Sequence, residues 1–249
     1  MKKPLIEGCV DSYASCLAAY RGGADRLELC ANLAIGGTTP SQSLFQQVHR
    51  DCPIPVNVLI RPRFGDFLYS DAELEEMRGE IRRFRDMGAN GVVIGVLTPD
   101  GNLDRDAISR LMDCAGELDV TLHRAFDMTR DPAKALEDAV GLGCRTVLTS
   151  GQTKNAGEGA QLLKQLVAQA AGRIDIMAGC GVKKENIAAI HAHTGIRSFH
   201  TTGRKGAVDS AMRYRKAGVS MGLPSLSEYE LWRTDEEEFR ACAQIVHSL

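Results

Sequence analysis

A chain of 249 residues, 44% hydrophobic and 25% charged, can bury one substantial core, and its length suits an eight-unit α/β barrel of roughly 250 residues. Thirty basic residues against 32 acidic ones give a formal charge of -2 with no basic block, so neither nucleic acid nor an anionic membrane surface is an expected partner. Glu7 interrupts the apolar start, no run approaches the roughly 18 apolar residues of a spanning helix, and the eight cysteines are dispersed with no CxxC, which together predict a cytoplasmic protein with reduced thiols.

In chain order, the first predicted strand is LIEGCV (5–10), and the second lies in GADRLELC, which begins at Gly23. PVNVLI (55–60) is the third strand; DAELEEMRGEIRRFRDM (71–87) is a helix starting at Asp71, with Leu74, Met77, Ile81 and Phe84 at helical spacing. GANGVVIG from Gly88, DVTLHRAF (119–126), GCRTVLTS from Gly143, IDIMAG (174–179) and GIRSFHTT from Gly195 supply strands four to eight. Asp131 and Pro132 open the helix between the fifth and sixth strands. The last segment, SLSEYELWRTDEEEFRACAQIVHSL (225–249), reads as one closing helix that packs Leu231, Phe239, Ala243 and Val246, with Trp232 in the core or at a subunit contact.

Four of these segments, from Gly23, Gly88, Gly143 and Gly195, align without gaps at intervals of 52 to 65 residues, about two βα steps each. Their glycines suit the left-handed cap that ends a helix. Strand alternating with helix, with no linker, predicts a single-domain (βα)8 TIM-type barrel over residues 1–249. A doubly wound open sheet is the alternative, but it usually carries a GxGxxG turn after its first strand, where this chain reads CVDSYAS.

Residues two apart on a strand share a face, so polar residues can be assigned to the barrel interior. Glu7 and Cys9 share a face, as do Glu28 and Cys30, whereas Leu27 and Leu29 turn to the helices. Alignment of the even strands puts Glu28, Val93, Leu148 and His200 in one inward layer, with Cys30, Gly95, Ser150 and Thr202 above it. On the odd strands, Arg61 shares a face with Asn57 and Leu59, and His123 with Thr121. Such charges are costly to bury unpaired, so Glu7 and Glu28 are expected against Arg61 or an imidazolium, or holding a ligand. The alternative is a buried ion network that satisfies itself. Asp66 and Asp127, in the following loops, are either ligand contacts or helix-starting and solvated groups. Gly179, Gly181, Thr202 and Gly203 follow strands seven and eight, where barrels often bind phosphate; tight turns would explain the same glycines.

GGADRLELC, GGTTPS, IRPRFGDFLYSD, TLHRAFDM, RTVLTSG and MRYRKAGVSMG, in this order over nearly the whole chain, closely resemble the CutC copper-homeostasis family. One departure is Phe64, where the family's third loop carries the first glycine of Arg-Pro-Arg-Gly-Gly-Asp-Phe. The resemblance implies a (βα)8 barrel, a cytoplasmic location, a homo-oligomer and a role in copper handling. It also implies copper ligation by cysteines on strands one and two, which map onto Cys9 and Cys30. Thiolate is the soft side-chain ligand that suits soft Cu(I). Cys16, Cys52, Cys114, Cys144 and Cys242 read as packing thiols, and Cys180 lies near the mouth. Two functions follow. One is a copper-homeostasis protein holding Cu(I) through Cys9 and Cys30. The other is an enzyme acting on a small anionic or phosphorylated metabolite, with Glu7, Glu28, Arg61, His123, Asp127 and His200 as its candidate catalytic residues.

Overall fold

The computed structural model describes residues 3–219, 221–223 and 225–249, so Met1, Lys2 and Pro224 lie outside the described residues, as does Ser220 of the motif MRYRKAGVSMG. Gly23, Gly88, Gly143 and Gly195 all adopt the left-handed backbone, with φ of 93°, 91°, 88° and 77°. A side chain there would be strained, which is why glycine recurs at these four hand-overs from helix to strand.

Among the described residues, eight parallel strands close into a barrel in chain order: β1 (Leu5–Val10), β2 (Arg26–Leu29), β3 (Val56–Leu59), β4 (Gly91–Ile94), β5 (Asp119–Leu122), β6 (Thr146–Thr149), β7 (Asp175–Ala178) and β8 (Ser198–Thr201). Helices α1 (Tyr13–Arg21), α2 (Gln42–Asp51), α3 (Asp71–Asp86), α4 (Arg105–Ala115), α5 (Pro132–Leu142), α6 (Ala160–Ala170), α7 (Ile187–Thr194) and α8 (Glu236–His247) surround it. The fold is the expected TIM-type barrel. No helix among the described residues is long and apolar enough to cross a membrane.

Alternation divides the apolar residues into two cores. Outward residues such as Ile6, Leu27, Leu29, Val58, Val92 and Phe199 pack under the helices, together with Cys16, Cys52, Cys114, Cys144 and Cys242. Inside the barrel, a small separate cluster holds Cys9, Cys30, Leu59 and Val93, with Leu33 packed against it. On α3 the periodic residues Met77, Ile81 and Phe84 are buried as read.

Helix α3 starts at Asp71 as read, and two other boundaries differ from expectation. The α3 cap is Ser70, whose hydroxyl accepts from the Glu73 N–H while Glu73 accepts from the Ser70 N–H. This reciprocal box satisfies two end groups, which Asp71 alone would not. Strand β5 stops at Leu122, and Arg124–Met128 coils into a 3-10 turn after His123, whose ring caps the Ala125 N–H. The closing helix is shorter than read: β10 (Glu230–Trp232) instead pairs antiparallel with β9 (Ala207–Asp209). Asp235 caps α8 by accepting from the Glu238 N–H at 2.8 Å, and Glu236, Glu237 and Glu238 favour the positive end of the helix, so it begins there. Phe239, Ala243 and Val246 pack in the core, Leu231 is half-buried on the hairpin, and Trp232 is 43% exposed and outside the core.

Gly95 follows β4 under the His123 ring, where a Cβ would stand 2.5 Å from Cε1 and 2.6 Å from Nδ1. Gly95→Ala should therefore destabilise the fold by about 1–3 kcal/mol through overpacking. Gly206→Ala, with nothing within 4 Å of its Cβ position, should leave the urea midpoint unchanged. Equal midpoints for both variants would contradict this packing account.

Candidate metal and ligand site

Strand register decides which inward side chains meet. Glu7 is paired with Arg26 on β2 and with His200 on β8, so its carboxylate has a cation on either side. Arg26 Nε donates to Glu7 Oε2 at 2.5 Å, and His200 Nδ1 lies 2.7 Å from Glu7 Oε1, with Glu7 only 1% exposed. The other imidazole nitrogen lies 3.3 Å from Glu28 Oε2. Cys9 is paired with Glu28, and stagger carries Cys30 two residues further along its strand. Even so, the Cys9 and Cys30 sulfurs and a Glu28 oxygen all lie within 4.8 Å of one another. Donor atoms of Glu7, Glu28 and His200 form a second such group.

The charges in this chain alternate. Burial would raise the Glu7 pKa, but Arg26 and then His200 hold it down to about 2. Burial opposes protonation of His200, yet Cys9, Glu28 and Glu7 around it outweigh that and raise its pKa well above the usual value. The Cys30 thiol, with the imidazolium, lowers Cys9 to about 5 against the effect of burial. Burial pushes both Glu28 and Cys30 well up, favouring their neutral forms. Arg26 and His200 as cations thus face Glu7 and Cys9 as anions, and a self-compensating network results.

Of the expected partners for Glu7 and Glu28, the imidazole is present as His200, the Arg61 alternative fails, and a further cation enters. Arg61 does not neutralise the glutamates: its guanidinium donates to the Gly37 carbonyl at 2.9 Å and the Gly65 carbonyl at 2.7 Å, and stacks 5.1 Å from the Phe67 ring centre. Arg26, not singled out in the sequence, takes that role. The signal was available, because Arg26 shares the inward parity of Glu28 and Cys30.

Cys9, Glu28, Cys30, Arg61, His123 and His200 all line one cavity of about 470 Å³ at the C-terminal ends of the strands. Thr202, Gly181, Gly203 and Cys180 line it too. Gly179 is buried instead, where a Cβ would meet Leu148 at 2.4 Å, and the corresponding atoms at Gly181 and Gly203 would come within 2.8 Å of Asn155 and Phe239. Close approach at all three positions, and a left-handed backbone at Gly181 and Gly203 (φ 68° and 58°), favour glycine in this corner. Asp127 is structural: it pairs with Arg124 at 2.7 Å and accepts from the Thr149 hydroxyl at 2.5 Å and the Ser150 N–H at 3.1 Å, tying the end of β6 to the 3-10 turn. Ser150 of the expected upper layer is engaged there rather than in the cavity. Asp66 is 70% exposed on its side chain and pairs with Arg63. Phe64 does not need a left-handed backbone and is 66% exposed, whereas Gly65 beside it has φ 97°.

Because Glu7 falls from an ordinary 4.5 to about 2 in the fold, its stabilisation is complete above about pH 4.5 and is lost as pH drops toward 2. Arg26→Met should raise the pH midpoint of acid unfolding and cost about 3 kcal/mol at neutral pH, as expected when one partner of a buried pair is removed. An unchanged acid midpoint, followed by circular dichroism, would contradict the clamp.

The sequence model of the CutC family matches residues 4–205, a span that includes every residue of this cluster. The human copper homeostasis protein cutC homolog is 47% identical over 246 residues, covering 98% of this chain and 90% of the relative. A family protein CutC from Bacteroides thetaiotaomicron is 49% identical over 233 residues, covering 92% and 93%. Among solved structures, the CutC protein of Streptococcus agalactiae matches with a TM-score of 0.77 and 34% identity, over 80% of this chain and 98% of that one. An aldolase, QR15, matches with a TM-score of 0.60 at 13% identity, over 80% of this chain and 90% of that one, and shares the fold alone. On the length and identity of these matches, the chain belongs to the CutC family.

Proposed function

We propose that this protein serves copper homeostasis by holding Cu(I) between Cys9 and Cys30 at the floor of the barrel mouth. The carrying observation is the proximity of the two sulfurs, within 4.8 Å, despite the stagger of their strands. Two metal–thiolate bonds of about 2.3 Å each would span up to about 4.6 Å, so the pair fits one ion with little movement. Leu33, Leu59 and Val93 pack around the thiols and keep the setting apolar, which suits a soft ion with soft ligands. Cys9 is already favoured as thiolate, and Cys30 would shed its proton on binding. Glu28, a hard donor, would contribute little to Cu(I) affinity. A reducing, cytoplasmic setting suits this role, because both thiols must stay free.

Titration with Cu(I) against a chromogenic chelator, under reducing conditions, should show one tight site per chain. Cys9→Ala or Cys30→Ala should each weaken it by at least about 100-fold, more than losses typical of groups that merely support a ligand. Unchanged affinity in the double variant would refute the assignment.

Association into a homo-oligomer is part of the same proposal, with a second copy of the chain covering the β9–β10 hairpin. Val208, Tyr214 and Trp232 are 46%, 70% and 43% exposed on this excursion, although such side chains favour burial. Sedimentation velocity should show a wild-type oligomer and a smaller species for Trp232→Glu; a monomeric wild type would remove the proposal.

A further inference from the structure

We propose that the β3–β5 wall of the cavity binds the carboxylate or phosphate group of a small organic anion, with Arg61 and His123 as its donors. This site is separate from the thiol pair and does not depend on copper binding there. Arg61 is a permanent cation only 7% exposed, yet among the described residues no carboxylate lies within ion-pair distance of it. Other buried or half-buried charges near it are compensated: Glu7 by Arg26 and His200, and Arg204 by Asp11 at 2.7 Å. Arg61 has two backbone carbonyls for partners, and its Nε–H is buried with no acceptor. A buried charge held by dipoles alone is unfavourable, and a ligand of opposite charge would offset it.

His123 points to the same ligand. It is 5% exposed, and its Nδ1 accepts from the Ala125 N–H at 3.1 Å, which puts the ring proton on Nε2. That Nε2–H is also buried without an acceptor. Burial and then the nearby Arg61 charge lower the His123 pKa to about 3, so the ring is a neutral donor across the physiological range. The two side chains share Phe67, whose ring centre lies 5.1 Å from the Arg61 Cζ and 4.9 Å from the His123 ring centre. Room for them is built into the backbone: a Cβ at Gly36 would lie 3.1 Å from Arg61 Nη1, and one at Gly95 would overlap His123.

Arg61 and His123, each with an unused buried N–H, line a cavity of about 470 Å³, far more than a single ion requires and within the range of small-molecule sites. Leu59, Phe67 and Leu148 supply apolar wall for an organic body, while Lys183 at the same cavity adds positive charge that would draw an anion in. The shared chemistry is an oxyanion accepting from Arg61 and His123.

The test uses metal-free wild-type protein at fixed ionic strength, with inorganic phosphate, malonate and chloride as probes. Thermal shift should rise with phosphate, malonate or both, and not with chloride; which of the first two acts distinguishes a phosphate ligand from a carboxylate one. Arg61→Gln and His123→Phe should each weaken the effective probe at least tenfold. In case a variant fails to fold, the ring-nitrogen NMR signal of His123 in the wild type is followed as well, and should move with the effective probe. Overturning results are no response to phosphate or malonate, a response equal to that of chloride, a response retained by folded Arg61→Gln and His123→Phe, or a thermal shift with the His123 signal unmoved.

Discussion

The barrel mouth depends on one carboxylate clamped between two cations. Glu7 sits in the ladder between Arg26 and His200, and each partner is placed by strand register rather than by side-chain reach. Without that clamp an imidazolium inside the barrel would be hard to sustain, and without the imidazolium Cys9 would lose one of the groups that favour its thiolate. Burying these groups is tolerable because the charges compensate in sequence, from Arg26 to Glu7 to His200 to Cys9. The network thus favours a thiolate at Cys9 on a fold whose interior is ordinarily apolar.

The same cavity has an opposite character on its other side. There Arg61 and His123 have donors to spare, Arg61 has no carboxylate within ion-pair distance among the described residues, and the two are approached closely by Gly36 and Gly95 respectively. The compensated floor and the uncompensated wall are supported by different strands, so a change at one need not disturb the other. Resemblance to aldolase structures at 13% identity adds only the barrel itself, since this fold supports many chemistries.

Much of the fold was legible because it follows from periodicity. Glycine recurrence gave the βα steps, and parity separated Leu27 and Leu29 from Glu28 and Cys30. The inward placement of Glu7, Glu28 and His200 followed from the same rule. What parity cannot give is the stagger between strands, which determines that Glu7 meets Arg26 and His200 while Arg61 meets no glutamate. Asp127 illustrates another limit: a polar residue in the loop after a strand has its hydrogen bonds taken by the Thr149 hydroxyl and the Ser150 N–H just past β6. The stretch before α8 was overextended because its acidic residues suit a helix, but Asp235 caps that helix and leaves Glu230–Trp232 free to pair with β9.

The central claim is that the thiols of Cys9 and Cys30 form the copper site. X-ray absorption spectroscopy of the Cu(I)-loaded protein tests it most directly, because the edge reports oxidation state and the fine structure reports ligand type. The account predicts Cu(I) with two sulfur neighbours, lost when both cysteines are replaced. A first shell of nitrogen and oxygen alone, or a sulfur shell that survives replacement of both, would contradict it.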